Sequence, residues 1–148
     1  MLTVGSQFPE FSLQNQDGET VSNAELMGSA TVVYFYPKDD TSGCTLEACA
    51  FQESFPRFKG AKVVGVSPDP VKSHRKFADK YGLSFTLLAD VEQSLCNACG
   101  VWVEKSMYGK KYMGVERTTF LLDENGVVTK VFNKVKPQGH AEEVLAAL

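Results

Sequence analysis

At 148 residues, with 43% apolar and 22% charged side chains and a net charge of −3, the chain has the proportions of one folded domain with a proper core. Those proportions exclude a disordered chain, and the longest basic run, Lys110-Lys111, is too short for a phosphate-backbone footprint, which argues against nucleic acid as a partner. No stretch is apolar over the length of a membrane span, and the opening MLTVGSQFPEFSLQNQDG has no basic segment followed by an apolar run, so a cytoplasmic location is expected. Four cysteines are too few for a disulfide scaffold in a domain of this size, and the cytosol keeps thiols reduced. They are to be explained as core residues, metal ligands or redox groups.

Taken in chain order, Phe11-Ser12-Leu13 and Glu19-Thr20-Val21 flank Asn15-Gln16-Asp17-Gly18 and predict an N-terminal β-hairpin. The unbroken β-branched and aromatic run Ala30 to Tyr36 predicts a strand buried on both faces, ended by Pro37. A polar loop, Lys38 to Gly43, leads into a helix from about Cys44 to Phe58, to which Leu46, Cys49, Ala50, Glu53, Phe55 and Phe58 give a partly apolar face. Ala61 to Val66 is a second buried strand. Asp69 as N-cap and Pro70 in the first turn then open a helix through about Lys80, stopped at Tyr81-Gly82. Thr86 to Ala89 is a third strand, after which Asp90 caps a helix ending near Gly100. Arg117 to Leu122 and Val127 to Phe132 pair around Asp123-Glu124-Asn125-Gly126, and Gly139 to Leu148 is a closing amphipathic helix. With no repeats or linkers, residues 1–148 read as a single α/β domain. Its expected architecture is a three-layer sandwich of the thioredoxin type, a central mixed sheet flanked by helices.

Chemistry concentrates where the first buried strand turns into the first helix. Cys44 falls at the helix start, where unpaired backbone N–H groups and the positive end of the dipole face its sulfur and favour the reactive thiolate. A free cysteine is only about 3% thiolate at neutral pH, so full ionisation gains roughly 30-fold, about 2 kcal/mol. Any larger acceleration needs groups that stabilise the transition state. Thr41 offers a hydroxyl three residues before the sulfur, and Pro37 fixes the entry angle of the loop.

The spacing Pro37, Thr41, Cys44 resembles the Pro-x-x-x-Thr-x-x-Cys pattern of the peroxiredoxins, and Gly43-Cys44-Thr45-Leu46-Glu47-Ala48-Cys49 resembles the PrxQ, or bacterioferritin comigratory protein, branch. The likeness extends through Gly5 to Phe11, Val64-Gly65-Val66-Ser67, Tyr81-Gly82-Leu83, Gly100-Val101-Trp102 and Glu116 to Phe120. One departure is Ser42, where the branch often has proline; a looser loop with intact chemistry is expected. The resemblance implies a peroxidase that needs no cofactor and no metal. Cys44 would attack the peroxide, and Thr41 and the Cys44 N–H would hold its oxygen. Arg117 would favour the thiolate and bind developing charge on the leaving oxygen, a task suited to a permanently charged, multidonor guanidinium. Glu47 would orient that arginine from one turn into the helix. It further implies that Cys49 resolves the Cys44 sulfenic acid as an intramolecular disulfide, that thioredoxin (or glutaredoxin or a small thiol) is the reductant, and that the chain is a monomer.

The second pair, Cys96-Asn97-Ala98-Cys99, lies at a helix C-terminus, where the dipole disfavours thiolate. Helix packing is the favoured reading, with a secondary disulfide or an alternative electron path beside it. Two other functions stay open: a four-cysteine zinc module from Cys44, Cys49, Cys96 and Cys99, and a thioredoxin-like disulfide carrier, although the strand-to-helix turn has C-x4-C where a carrier needs C-x-x-C. His74, among Lys72, Arg75 and Lys76, and His140 read as surface or cap residues, and Trp102 as a packing residue near the site.

Overall fold

A β-branched and aromatic run with no polar interruption requires cover on both faces, and the computed structural model, which describes residues 1–148, supplies it. In chain order the strands are β1 (Ser12–Gln14), β2 (Thr20–Ser22), β3 (Thr31–Phe35), β4 (Lys62–Ser67), β5 (Thr86–Ala89), β6 (Trp102–Met107), β7 (Lys110–Val115), β8 (Thr118–Leu122) and β9 (Val128–Phe132). The helices are α1 (Ser42–Ser54), α2 (Val71–Tyr81), α3 (Ser94–Cys99) and α4 (His140–Ala147). Seven strands form one mixed sheet in the order β2-β1-β5-β4-β3-β8-β9, with β3, β4 and β5 mutually parallel in sequence and β8 antiparallel to β3. Every residue of β3 and β8, near the middle of that order, is buried.

Two apolar clusters lie on the two faces of this sheet. One gathers Tyr34, Tyr36, Cys44, Ala48, Phe51, Phe77, Ala78, Ala141 and Val144, so α1, α2 and α4 cover one face. The other gathers Phe8, Val33, Phe35, Leu95, Cys96, Cys99, Val101, Val115 and Phe120, which places α3 and the start of the β6–β7 hairpin on the opposite face. The expected three-layer α/β sandwich with its N-terminal hairpin is the observed one.

Several local expectations are corrected. α1 begins at Ser42, two residues before Cys44, and ends at Ser54; Phe55–Phe58 is a tight 3-10 turn. Pro56 has no N–H to give the carbonyl of Gln52, which accepts from Phe55 instead, so the α-helical ladder stops there. The inward stripe of α1 is Cys44, Glu47, Ala48, Phe51 and Ser54, whereas Leu46 and Glu53 are exposed. Pro70, not Asp69, is the N-cap of α2, and the Asp69 carboxylate turns to Ser67 Oγ (2.6 Å) and Asp39 N (2.8 Å). Asp90 does cap α3 from outside it, accepting from the amides of Leu95 (3.2 Å) and Cys96 (2.8 Å). His74 and His140 are buried side chains, not surface ones. The β6–β7 hairpin was not anticipated; Tyr108 and Gly109, both at positive φ (51° and 78°), make its two-residue turn.

Candidate active site

The site assembles at the sheet end where β3 and β4 finish. Phe35 pairs with Thr118, so the residue before β8, Arg117, stands beside the residue after β3, Tyr36. The Tyr36 amide still bonds Val66 O (3.0 Å), and Pro37 then releases the chain into the loop that starts α1. Antiparallel register thus carries Arg117 to the N-terminus of a helix 73 residues away in sequence.

Within α1 the first intrahelical bond runs from Thr45 N to Thr41 O (2.8 Å), leaving the amides of Ser42, Gly43 and Cys44 ahead of the ladder. Thr41 is the N-cap, but its hydroxyl donates back to Lys38 O (2.9 Å) and does not cap the helix. The oxygen that Thr41 turns to an incoming molecule is therefore an acceptor. Cys44 is 1% exposed, and Arg117 Nη2 donates to its Sγ at 3.3 Å while Nη1 donates to Glu47 Oε1 at 2.6 Å. One guanidinium fork spans the Cys44 sulfur and the Glu47 carboxyl group, which a lysine ammonium on one stem cannot do in the same geometry. Gly43 makes room for it: a Cβ there would stand 3.3 Å from Arg117 Nη2.

Electrostatics follow burial. Burial pushes the Glu47 carboxyl up to about 7, against the downward pull of Arg117. Burial also works against the Arg117 charge, but Glu47 and Cys44 outweigh it and raise its pKa. Glu47 Oε2 and the Tyr34 hydroxyl are both buried with no hydrogen-bond partner, and Tyr34 is raised by burial first and by Glu47 next. Lys105 of β6 is lowered by its own burial and by the neighbouring Arg117.

Each site residue expected from the sequence lies in this one region except Cys49. Cys49 is half-buried, one turn and a half further along α1, with its thiol pushed up by burial. The regular helix sets its Cα roughly 8–9 Å from that of Cys44, beyond disulfide reach. Cys96 and Cys99 lie in the cluster on the other face of the sheet, fully buried, with both thiols pushed up by burial, Cys99 to about 12. This separation overturns the four-cysteine zinc module, and Cys96 and Cys99 pack into the apolar cluster of the far face. Trp102 packs against that same far cluster, not against the Cys44 cluster. The metal-ligating side chains that do come together are Asp39, Asp69 and His74, within 4.8 Å of one another. Both His74 nitrogens are engaged, Nδ1 with Asp39 Oδ2 and Nε2 with the Leu88 oxygen, so the histidine has no free nitrogen to offer a cation. Asp39 and His74 were missed in the sequence, although His74, Phe77, Ala78 and Tyr81 follow the spacing of an inward helical stripe.

The sequence model of the AhpC/TSA family matches residues 4–131. The chain is 44% identical to peroxiredoxin Bcp of Bacillus subtilis, an alignment covering 99% of this chain and 95% of that protein. Among solved structures it is similar to a cysteine-to-serine mutant of Xylella fastidiosa PrxQ, with a TM-score of 0.94 and 35% identity over 99% of this chain and 95% of the other. It is also similar to the Xanthomonas campestris bacterioferritin comigratory protein, studied in trapped intermediate and ligand complexes for its alkyl peroxide reduction activity. There the TM-score is 0.88 and identity 45%, over 93% of this chain and 88% of the other.

Proposed function

The chain belongs to the AhpC/TSA family and, within it, to the PrxQ or Bcp branch of the peroxiredoxins; it is a thiol-dependent peroxidase, and we propose that Cys44 is its nucleophile. The observation that carries this assignment is the Arg117 fork, which reaches Cys44 Sγ and buried Glu47 at once in the uncapped first turn of α1.

The Cys44 thiolate attacks one oxygen of the hydroperoxide, the O–O bond breaks, and the leaving oxygen departs as water or an alcohol after taking a proton. Cys44 is left as a sulfenic acid. Arg117 Nη2 and the Cys44 amide stabilise the charge moving between the two oxygens, and the Thr41 oxygen accepts from the peroxide O–H. Pro37 sets the loop that holds Thr41. Cys49 then displaces the sulfenic hydroxyl as water, forming a Cys44–Cys49 disulfide. Both residues lie in α1, so the first turns of α1 unwind for this bond to form. A dithiol protein of the thioredoxin type, or glutaredoxin or a small thiol, returns both thiols by taking the oxidation onto its own sulfurs. Hydrogen peroxide and organic hydroperoxides are the substrates, a reading supported by the alkyl peroxide reduction of the Xanthomonas campestris relative. Residues 1–148 act as one domain, monomeric and cytoplasmic.

The test is intact mass and non-reducing peptide mapping of reduced protein after one equivalent of hydrogen peroxide. Loss of two hydrogens with a Cys44–Cys49 link is the expected result; no rapid reaction, or a link through Cys96 or Cys99, refutes the nucleophile or the resolver respectively. Cys49→Ser keeps the first attack and abolishes turnover with thioredoxin as sole reductant. Undiminished turnover would remove Cys49 from the cycle.

A further inference from the structure

One buried cluster of ionisable side chains is unused by this mechanism, and it sits under the loop that leads into α1. His74 of α2 is 0% exposed, and both of its ring nitrogens face acceptors. Nδ1 lies 2.7 Å from Asp39 Oδ2 and Nε2 lies 2.9 Å from the backbone oxygen of Leu88 in β5. A carbonyl oxygen cannot donate, so Nε2 carries a hydrogen. Asp39 is itself buried and receives two further donors, the Ser73 hydroxyl on Oδ2 (2.8 Å) and the Tyr36 hydroxyl on Oδ1 (2.6 Å). Two hydroxyl donors already on this carboxyl group favour a carboxylate, and the 2.7 Å Nδ1–Oδ2 contact needs one hydrogen between its atoms, which Nδ1 then carries.

We propose that His74 is a buried imidazolium paired with the Asp39 carboxylate, and that this pair is a clasp that positions the Pro37–Thr41 loop and restrains the unwinding of α1. The groups facing the ring are Asp39 and Tyr36 from the end of β3 and its loop, the Leu88 oxygen from β5, and Ser73 beside it on α2; Asp69 joins through the Asp39 amide. None is a second cation. Displacing Asp39 would strand a charged ring in the core, and an unpaired buried charge costs far more than a surface pair. A second, outer tie follows at the next residue: Asp40, at φ 57°, accepts from Lys80 Nζ (2.9 Å) and Tyr81 Oη (2.7 Å). The loop is therefore fastened to α2 at two successive residues, and the inner fastening is ionic, dry and adjacent to Lys38, whose carbonyl orients Thr41.

The proposal rests on the Cys44–Cys49 cycle above, so its test separates the two. The charge is read directly on the reduced wild-type protein by 15N NMR of the His74 ring: two protonated nitrogens are expected, and a neutral tautomer overturns the proposal. The positioning role is read by timing peroxide attack on Cys44 separately from disulfide formation. In His74→Gln, which has one donor and no charge, attack slows and disulfide formation speeds up, each by about 10-fold, and less Cys44 is overoxidised at high peroxide. Ser73→Ala, which removes one bond to Asp39 and leaves the ring, shifts both steps the same way by about 3-fold and serves if the histidine variant does not fold. A wild-type chain that makes no Cys44–Cys49 disulfide defeats the underlying cycle and this role with it. A wild-type chain that makes it at a rate neither variant changes overturns the clasp alone.

Discussion

Replacing Glu47 by glutamine tests how the site manages a buried charge. The carboxyl is 1% exposed, accepts one bond from Arg117 and leaves Oε2 without a partner. Burial moves it from an ordinary value of 4.5 up to about 7. Between those two pH values the folded chain keeps a proton that the unfolded chain has released. Wild-type stability therefore falls as pH rises through the window, relative to a variant with nothing to titrate at this position. At about 1.4 kcal/mol per pH unit the full loss is about 3 kcal/mol. Glutamine keeps an oxygen for Arg117 Nη1, so the fork is retained. Urea unfolding of both reduced proteins at intervals from pH 4 to pH 8.5 gives the comparison. The difference between them is expected to be flat below pH 4.5, to grow in favour of Glu47→Gln up to about pH 7, and then to level off. A pH-independent difference, or one growing in favour of the wild type, would refute the reasoning that desolvation outweighs Arg117 here.

Arg117→Lys should lower the rate of peroxide attack by 10-fold to 100-fold, the loss of one charge-assisted hydrogen bond of about 1.5–3 kcal/mol, because one ammonium cannot serve Cys44 and Glu47 together. Stopped-flow oxidation of the reduced protein measures it, and a rate within threefold of wild type would remove the fork from the mechanism. Gly43→Ala should separate stability from activity: the helix gains up to about 1 kcal/mol in propensity, while the new Cβ pushes Nη2 away from Sγ and slows attack. Equal or faster attack in the alanine variant would contradict this. Ser42→Pro places proline at the first position of α1, where no helical N–H is needed; thermal unfolding should report a gain of about 0.4–1 kcal/mol. The same change should slow disulfide formation by roughly 2–5-fold, since the gain must be given up when the turn unwinds.

The parts of this fold carried by long apolar runs were legible in the sequence. Ala30 to Tyr36 is β-branched and aromatic after its first residue, and Ala61 to Val66 is interrupted only by Lys62 near its start; both read as covered strands, and they are β3 and β4. Arg117 and Glu47 were legible only through resemblance, because their meeting depends on the pairing of β3 with β8, which no local pattern encodes. The inward spacing of α1 is Cys44, Glu47, Ala48 and Phe51, a stripe the sequence disguises because a charged residue, Glu47, sits in it while apolar Leu46 points outward. His74 was obscured by its neighbours Lys72, Arg75 and Lys76, which point outward while the histidine shares the line of Phe77 and Ala78. The β6–β7 hairpin was missed because its strands alternate weakly and expose Met107, Tyr112 and Met113, although Tyr108-Gly109 is a recognisable two-residue turn.

The pairing of Phe35 with Thr118 divides the sheet into a fixed end and a permissive one. At the site end, a residue inserted between Glu116 and Thr118 would turn Arg117 to the opposite side of the chain and part the fork from the sulfur. At the far end, the β8–β9 ladder already accommodates an irregularity between Leu121 and Leu122. The Asp123–Gly126 turn beyond it is itself held, with the oxygens of Glu124, Asn125 and Gly126 accepting from Gly28 N, Gln7 Nε2 and Phe8 N, so the permissive stretch is the bulge and not the turn. The place to graft a tag, a probe or a second module onto this chain is instead the Tyr108-Gly109 turn of the β6–β7 hairpin, where Tyr108 is 98% exposed.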